Sequence, residues 1–525
     1  MDDEGSPSEK RDAALDIAEK RNNPDVSVVV NASGHRQELE RNFSLLSICA
    51  VAVTTGNTWI ALGGGLTVAI YNGGPAGVIY EFIAVSVMYW LVAASIAELA
   101  SAMPSASGVY HWATITGGKY GRVMGWFAGY WNCLAWIFGG ASMSAILGNQ
   151  LVSMYSLFHA NFEAKAWHVF VAYLLCTWLS CLTVLFANKA LPSLSSLGMF
   201  FILAGVTITI IVCATMPTAN GKGHASDSFV WRNWENSTGY TSNGFVFVAG
   251  MLNGAFAVGT PDCTTHLAEE IPKPSINIPK AILAQMTIGF VSAFCYMIAI
   301  FYAITDLQAV LDSSSTFPLA EIYHQATGTR GGALGLLILA FLPTCINCIG
   351  CYITAGRTLW ALSRDRATPF SGWIAQVNTT HHNPFNSTLV CGGIITAMGC
   401  IYVGSTTAFN AFVGSFVVLS SLSYVAAILP HLLSGRSHTT PGWFWMKGVI
   451  GYVVNAISSL YIICFIVIFC FPAALPVDAA SMNYSCLITG GLTAFVAGWW
   501  FVRQHDYVGP QELSNVDGIL AKDAK

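Results

Sequence analysis

Charge is what this chain has least of. Asp, Glu, Lys and Arg make up 10% of its 525 residues, and the formal net charge is -4. An ordinary soluble domain carries about 25% charged residues. A surface facing water on all sides is therefore excluded. No basic run is long enough to form a phosphate-binding patch, which excludes nucleic acid as a partner. The chain also lacks a nucleophile elbow, a His-Glu-x-x-His pair and a glycine-rich phosphate loop. No enzyme reading follows, and no cofactor or metal is expected. The first 43 residues hold no apolar core after a short basic start, so they are not a signal peptide. Lys10, Arg11, Lys20, Arg21, Arg36 and Arg41 alternate there with acidic residues. Segment 1–43 reads as a disordered, cytosolic tail, and 503–525 reads likewise.

Cysteine is not scarce, at fifteen, but it forms no scaffold. Cys49, Cys133, Cys176, Cys181, Cys213, Cys295, Cys391, Cys400 and Cys464 lie inside apolar stretches, where a free thiol behaves as a small apolar group. Cys470 and Cys486 fall near one surface and are the pair open to bridging. Cys345, Cys348 and Cys351 would form a stripe on a helix, which does not make a tetrahedral metal site.

Apolar residues fill the space that charge leaves, at 54% of the chain. A helix needs ~20 mostly apolar residues to cross the hydrocarbon core. Backbone groups in lipid must pair within the segment, so such stretches become helices. They predict an all-α integral membrane protein of about twelve transmembrane helices, with the lipid bilayer as its partner. The spans are 44–71, 77–100, 123–148, 167–187, 193–215, 245–268, 281–304, 333–362, 388–404, 410–434, 449–472 and 483–502. With a cytosolic N-terminus, outward segments carry only Lys165, Lys222, Arg232 and Arg330 of the 23 Lys and Arg. That obeys the positive-inside rule, and an even span count puts the C-terminus in the cytosol too. The plasma membrane is the expected location. Asn236-Ser237-Thr238 in the outward segment 216–243 is a glycosylation pattern. Asn378-Thr379-Thr380 and Asn386-Ser387-Thr388 match it on the other side, so it decides nothing alone.

Two spans are interrupted. The first is broken by Thr54-Thr55-Gly56-Asn57-Thr58 and again by Gly63-Gly64-Gly65; the sixth is broken by Gly259-Thr260-Pro261-Asp262. Such interruptions in corresponding helices of two halves mark the binding site of an inverted-repeat transporter. Half-helix ends there expose backbone N–H and C=O groups to a substrate or ion. The alternative for the glycines is close helix packing. Regular helix is expected to be lost at about 54–59 and 257–261.

Three longer motifs then become recognisable. AELASAMPSASGVYHWATITGGKYGRVMGWFAGYWN at 97–132, HLAEEIPKPSINIPKAI at 266–282 and AGRTLWALSRDRATP at 355–369 resemble, in order, three regions of the amino acid/polyamine/organocation permeases. The likeness covers essentially all of 44–505. It implies a five-plus-five inverted repeat, 44–215 and 245–434, with two additional helices at 449–502. PDCTTHLAEEI at 261–271 is similar to the choline-carrier pattern of the fungal amine and amino acid permeases. The glycine-serine-glycine stretch with which amino acid permeases grip a carboxylate is replaced by Thr54-Thr55-Gly56-Asn57-Thr58-Trp59. The resemblance therefore implies a secondary transporter importing a small amine, choline first. The alternatives are 4-aminobutyrate, another amino acid or a polyamine, and a non-transporting sensor with the same fold.

Candidate site residues follow from the breaks and from span three. Asn132, Ala135, Trp136 and Gly139 share one helical side, with Asn132 and Trp136 facing the pathway. Trp59, Trp136, Phe256 and Phe341 are candidates for an aromatic cage around a quaternary ammonium. The alternative for each ring is core packing. Thr55, Gly56, Asn57, Thr58, Ala257, Val258 and Gly259 supply the opened backbone, and Asp262 supplies a charge for a cation or a proton. A helix-capping role is the plain alternative for Asp262. Glu98, Glu269 and Glu270 at cytosolic helix ends, with Arg364, Asp365 and Arg366, are candidates for an inner gate. Glu81, near the outer end of span two, is placed to meet an incoming cation, and His266 can titrate near neutral pH. Coupling to H+ is expected, with Na+ as the alternative. The lysine that some proton-coupled relatives place on the fifth helix is missing from 193–215. Thr344 and Thr354 offer hydroxyls to an ion, or bond their own helix.

Overall fold

The structure is a computed structural model, and it describes residues 38–510 apart from 160, 314 and 480. The expected tails therefore lie largely outside the described residues. The fold is carried by the broken pair α1 Leu45–Gly56 and α2 Thr58–Gly64 and by the longer helices α3 Gly74–Ala102, α4 Gly121–Ser156, α5 Ala166–Phe186, α6 Leu191–Ala219, α7 Asn243–Val258, α8 Pro274–Ala303, α9 Arg330–Arg364, α10 Phe385–Gly404, α11 Thr406–Leu433, α12 Gly448–Ile468 and α13 Ser485–Arg503. Among the described residues no strand forms; Asn72 with Asn236 and Asn378 with Asn383 make isolated bridges.

Local chemistry sets the starts. Ser44 caps α1 reciprocally with Ser47, at 3.3 Å and 2.8 Å. Thr329 caps α9 through the Gly332 N–H at 3.1 Å, and Ser405 caps α11 through the Ala408 N–H at 3.1 Å.

Among the described residues, ten helices are long and apolar enough to cross a membrane, with α1 and α2 counted as one stretch. Two further elements stand where the third and sixth spans were expected. Helix α4 is 36 residues long but rich in Gly, Trp, Ser and Asn. Helix α7 stops after 16 residues. Leu175 and Leu179 on α5, Phe200 on α6, Val449 and Leu460 on α12 and Phe495 on α13 are exposed on the outside of the bundle. An apolar exterior of that extent suits lipid, not water. Helix α4 lies at the centre, against α9 and α11.

Both breaks occur, but not over the expected ranges: within 54–59 only Asn57 leaves the helix, and within 257–261 the helix persists through Val258. Helix α1 ends where Asn57 turns left-handed, at φ 32° and ψ 48°, and α2 resumes at once. Helix α7 ends at Val258, and no second α-helix takes over from it. Residues 259–264 are irregular and Thr265–Glu270 is a 3-10 helix, so the sixth span, expected to run to 268, is α-helical only to 258. Cys470 and Cys486 are both free thiols.

Candidate functional site

A small cavity lies between the two breaks. Thr55, Gly56 and Ala61 reach it from α1 and α2, Trp136, Gly139 and Met143 from α4, and Phe256 and Thr260 from the end of α7. Asn347 and Cys351 on α9 and Phe416 on α11 close it. Its volume is about 20 Å³, room for roughly one water molecule. Phe416 is the hinge of an aromatic corner, 6.1 Å from the Trp136 ring at 75° and 5.7 Å from Phe256 at 74°. Both are edge-to-face contacts.

Behind this wall sits Asp262, fully buried and outside the cavity lining. Its carboxylate is surrounded by donors. Oδ2 accepts from Asn132 Nδ2 at 2.7 Å and from the Trp136 indole Nε1 at 3.1 Å. His266 Nε2 stands 3.2 Å from the same oxygen. Oδ1 takes the Tyr424 hydroxyl at 2.6 Å. The other His266 nitrogen, Nδ1, lies 3.1 Å from the Ala106 carbonyl and 3.3 Å from the Thr358 hydroxyl. Asn132 and Trp136, one turn apart on α4, share a side toward Asp262, but only Trp136 lines the cavity, so Asn132 does not face it as expected.

Gln285 on α8 joins the two breaks. Its Nε2 donates to the Thr260 carbonyl at 3.0 Å and bonds the Thr260 hydroxyl at 2.9 Å. A Cβ on Gly56 would come to 3.0 Å from that same nitrogen, so a side chain there would push Gln285 aside by a few tenths of an ångström. Nearby polar atoms have no hydrogen-bond partner: Thr55 Oγ1, Asn132 Oδ1 and both amide atoms of Asn57. Unsatisfied buried groups beside a cavity are places where a ligand, ion or water can bond.

Two ion pairs join the 3-10 helix that follows the second break to the C-terminal part of α9, and none of their residues lines the cavity. Arg357 is buried and forks onto Glu270, at 2.5 Å and 3.0 Å. Arg364 pairs with Glu269 at 3.2 Å and stacks on Trp360, 4.3 Å from the ring centroid. The Phe43 N–H donates to the Glu270 carbonyl at 3.2 Å, which lays the start of the described chain against the same 3-10 helix.

Several expected members stand elsewhere. Trp59 packs edge-on against Tyr296 of α8, 5.0 Å away, and does not line the cavity. The left-handed turn at Asn57 directs Thr58 and Trp59 toward α8, while Thr55, Gly56 and Ala61 face inward; a Cβ on Gly289 would meet Thr58 Oγ1 at 2.5 Å. Phe341 is half-buried and precedes the inward-facing Asn347 by about one and two-thirds turns, which puts it on another face of α9. Ala257 and Val258 are core, and Gly259 offers only its carbonyl, to Tyr424 at 3.1 Å. Glu98 belongs to a different cluster: Arg436 pairs with its carboxylate, Asn455 Nδ2 donates to it at 3.1 Å, and the Met446 N–H donates at 3.2 Å. It ties α3 to α12 and the loop before it. Glu81 is buried against Gly250 of α7 and does not open to an incoming solute. Arg366 is exposed. Thr344 and Thr354 bond the carbonyls of Ala340 and Gly350, at 2.8 Å and 3.0 Å.

Phe416, Tyr424, Asn347 and Gln285 were not expected as site residues. Phe416 and Tyr424 carry no local signal, since rings are common in apolar spans, whereas Gln285 and Asn347 stand out as polar amides within apolar spans. Arg357 had a signal, a cation inside an apolar span, within one of the recognisable motifs.

Comparison with known proteins gives a consistent picture. The family model described as "Amino acid permease" matches residues 43–492. A choline transporter of Saccharomyces cerevisiae is 34% identical, covering 88% of this chain and 81% of its own. A putative amino acid/polyamine transporter of Macrophomina phaseolina is 29% identical, covering 82% and 94%. The crystal structure of a manganese transporter from Eremococcus coleocola aligns with a TM-score of 0.52 at 14% identity, over 88% of this chain and 95% of that one, a likeness of fold.

Proposed function

The chain belongs to the amino acid permease family, and from that premise we propose that it imports a small amine, choline first. One observation carries the substrate class: three aromatic rings, and no Arg or Lys, line the cavity. Aromatic faces attract quaternary ammonium groups, at about 2 kcal/mol per desolvated contact. A substrate carboxylate would find no cation there. The identity with a choline transporter is in keeping with this reading. The cavity must grow before choline fits, so binding accompanies movement of the broken segments.

The two breaks are then counterparts in an inverted repeat of 44–215 and 245–434, with α12 and α13 outside it. One repeat rocks against the other around the site. The protein lies in the plasma membrane with both termini in the cytosol, and the Arg357–Glu270 and Arg364–Glu269 pairs form its inner gate. Import is coupled to H+, with Na+ as the alternative driver. No covalent chemistry is required of any residue.

The test is uptake of radiolabelled choline and 4-aminobutyrate by cells lacking their own choline carrier. Saturable choline uptake is expected, enhanced by an inward pH gradient and not competed by 4-aminobutyrate. Uptake of 4-aminobutyrate but not choline would replace the substrate. Binding without flux of either would favour the sensor. Stimulation by Na+ alone would replace the ion.

A further inference from the structure

One side chain, Trp136, both lines the cavity and bonds Asp262. Its indole N–H donates to the carboxylate at 3.1 Å. Asp262 itself is fully buried and does not line the cavity. It is also occupied, since Asn132, Trp136, His266 and Tyr424 together engage both of its oxygens. A direct ion pair with a solute in the cavity would require these bonds to break and the indole to leave. A cation therefore meets the ring first, and the negative charge lies behind it.

The electrostatics of that order are definite. A ring binds a cation through the negative potential over its face. An indole N–H that donates to a carboxylate gains electron density in the ring, and the anion adds its own field from the far edge in a water-free setting. Asn132 and Tyr424 hold the carboxylate from α4 and α11, and His266 holds it from the 3-10 helix. The anion is thus fixed in the plane from which it can act on the ring.

We propose that Asp262 determines cation specificity by acting through Trp136, as a positioning residue behind the cavity wall and not as a counter-charge in contact with the substrate. The inference rests on the amine reading given above. It assigns Trp136 as the ring that carries the cation preference. Asn132, Tyr424 and His266 keep the carboxylate aimed at its N–H.

The test compares two ligands of one shape on the purified protein: choline and its neutral carbon isostere, 3,3-dimethylbutan-1-ol. The parent is expected to prefer choline. Asp262→Asn should weaken choline by about tenfold, near the 1.4 kcal/mol that a factor of ten represents, and change the isostere by less than about twofold. Trp136→Phe keeps a ring on the wall but has no N–H, so it should lose the same preference. Adding Asp262→Asn to Trp136→Phe should then cost little more, the non-additivity of two groups acting as one. Equal loss of both ligands in Asp262→Asn would reduce Asp262 to a structural role, and independent, additive losses would restore it as a direct counter-charge; either overturns the proposal. If Asp262→Asn does not fold, Trp136→Phe decides alone, because an unchanged choline preference overturns it. A parent that binds both ligands alike would remove the cationic-substrate reading first, and this inference with it.

Discussion

Two carboxylates buried in one bundle stand in opposite surroundings. Asp262 has donors on both oxygens, whereas Glu81 is 2% exposed and its Oε1 has no hydrogen-bond partner. Glu81 lies over Gly250, where a Cβ would collide with both carboxylate oxygens. A charge kept from water without a partner costs several kcal/mol. The two neutralising substitutions should therefore differ. Asp262→Asn removes charge-assisted bonds worth about 1.5–3 kcal/mol each, and is expected to lower the thermal midpoint of the purified protein. Glu81→Gln removes no bond seen in the structure and should not lower it. Thermal unfolding of the two variants in the same detergent checks this. A larger drop for Glu81→Gln would mean that the Glu81 carboxyl holds α3 against α7. Sequence alone marked both residues, because a carboxylate in an apolar span stands out. Their opposite surroundings were not legible, because Tyr424 and Gly250 approach from helices far along the chain.

The broken helices were legible as elements because glycine, proline and hydroxyl residues cluster there with nothing apolar to pack. Their outcomes differ for a local reason. Asn57 tolerates the left-handed conformation and lets α2 restart at once. After Val258, Gly259 and Pro261 are followed by short polar residues, and only a 3-10 helix forms. The pairings between elements were less readable. Glu269 and Arg364 were expected in one gate and do pair, but Glu98 found Arg436, a residue that sequence reasoning passed over. Arg357 is the buried member of the proposed gate, and its two bonds to Glu270 use the guanidinium fork. Lysine keeps the charge but not the fork. Arg357→Lys is therefore expected to cut choline uptake several-fold at equal surface expression. Arg364→Lys, at a site more open to water, should cut it less. Equal effects would mean that the pairs contribute only charge to the seal.

At the scale of the whole molecule, the described chain begins and ends at one end of the bundle. The Phe43 N–H bonds the Glu270 carbonyl at 3.2 Å, and the Val508 N–H bonds the Asp365 carbonyl at 3.2 Å. Glu269 and Arg364, the neighbours of those two acceptors, pair with each other. Lys273, Arg357, Arg366, Arg436, Lys447 and Arg503 fall at the same end when the helices are traced in order, whereas Lys165, Lys222, Arg232 and Arg330 fall at the other. Juxtamembrane cations are retained on the cytosolic side, where anionic lipid favours each by about 1 kcal/mol. The crowded end should therefore face the cytosol. Epitope tags at the N- or C-terminus are expected to bind antibody only after cells are permeabilised. A tag inserted between Gly221 and Gly223, an exposed turn after α6, should bind antibody on intact cells. Termini that label on intact cells would invert the molecule. The Arg357–Glu270 and Arg364–Glu269 pairs would then seal the outer mouth, and the arrangement seen here would open toward the cytosol first.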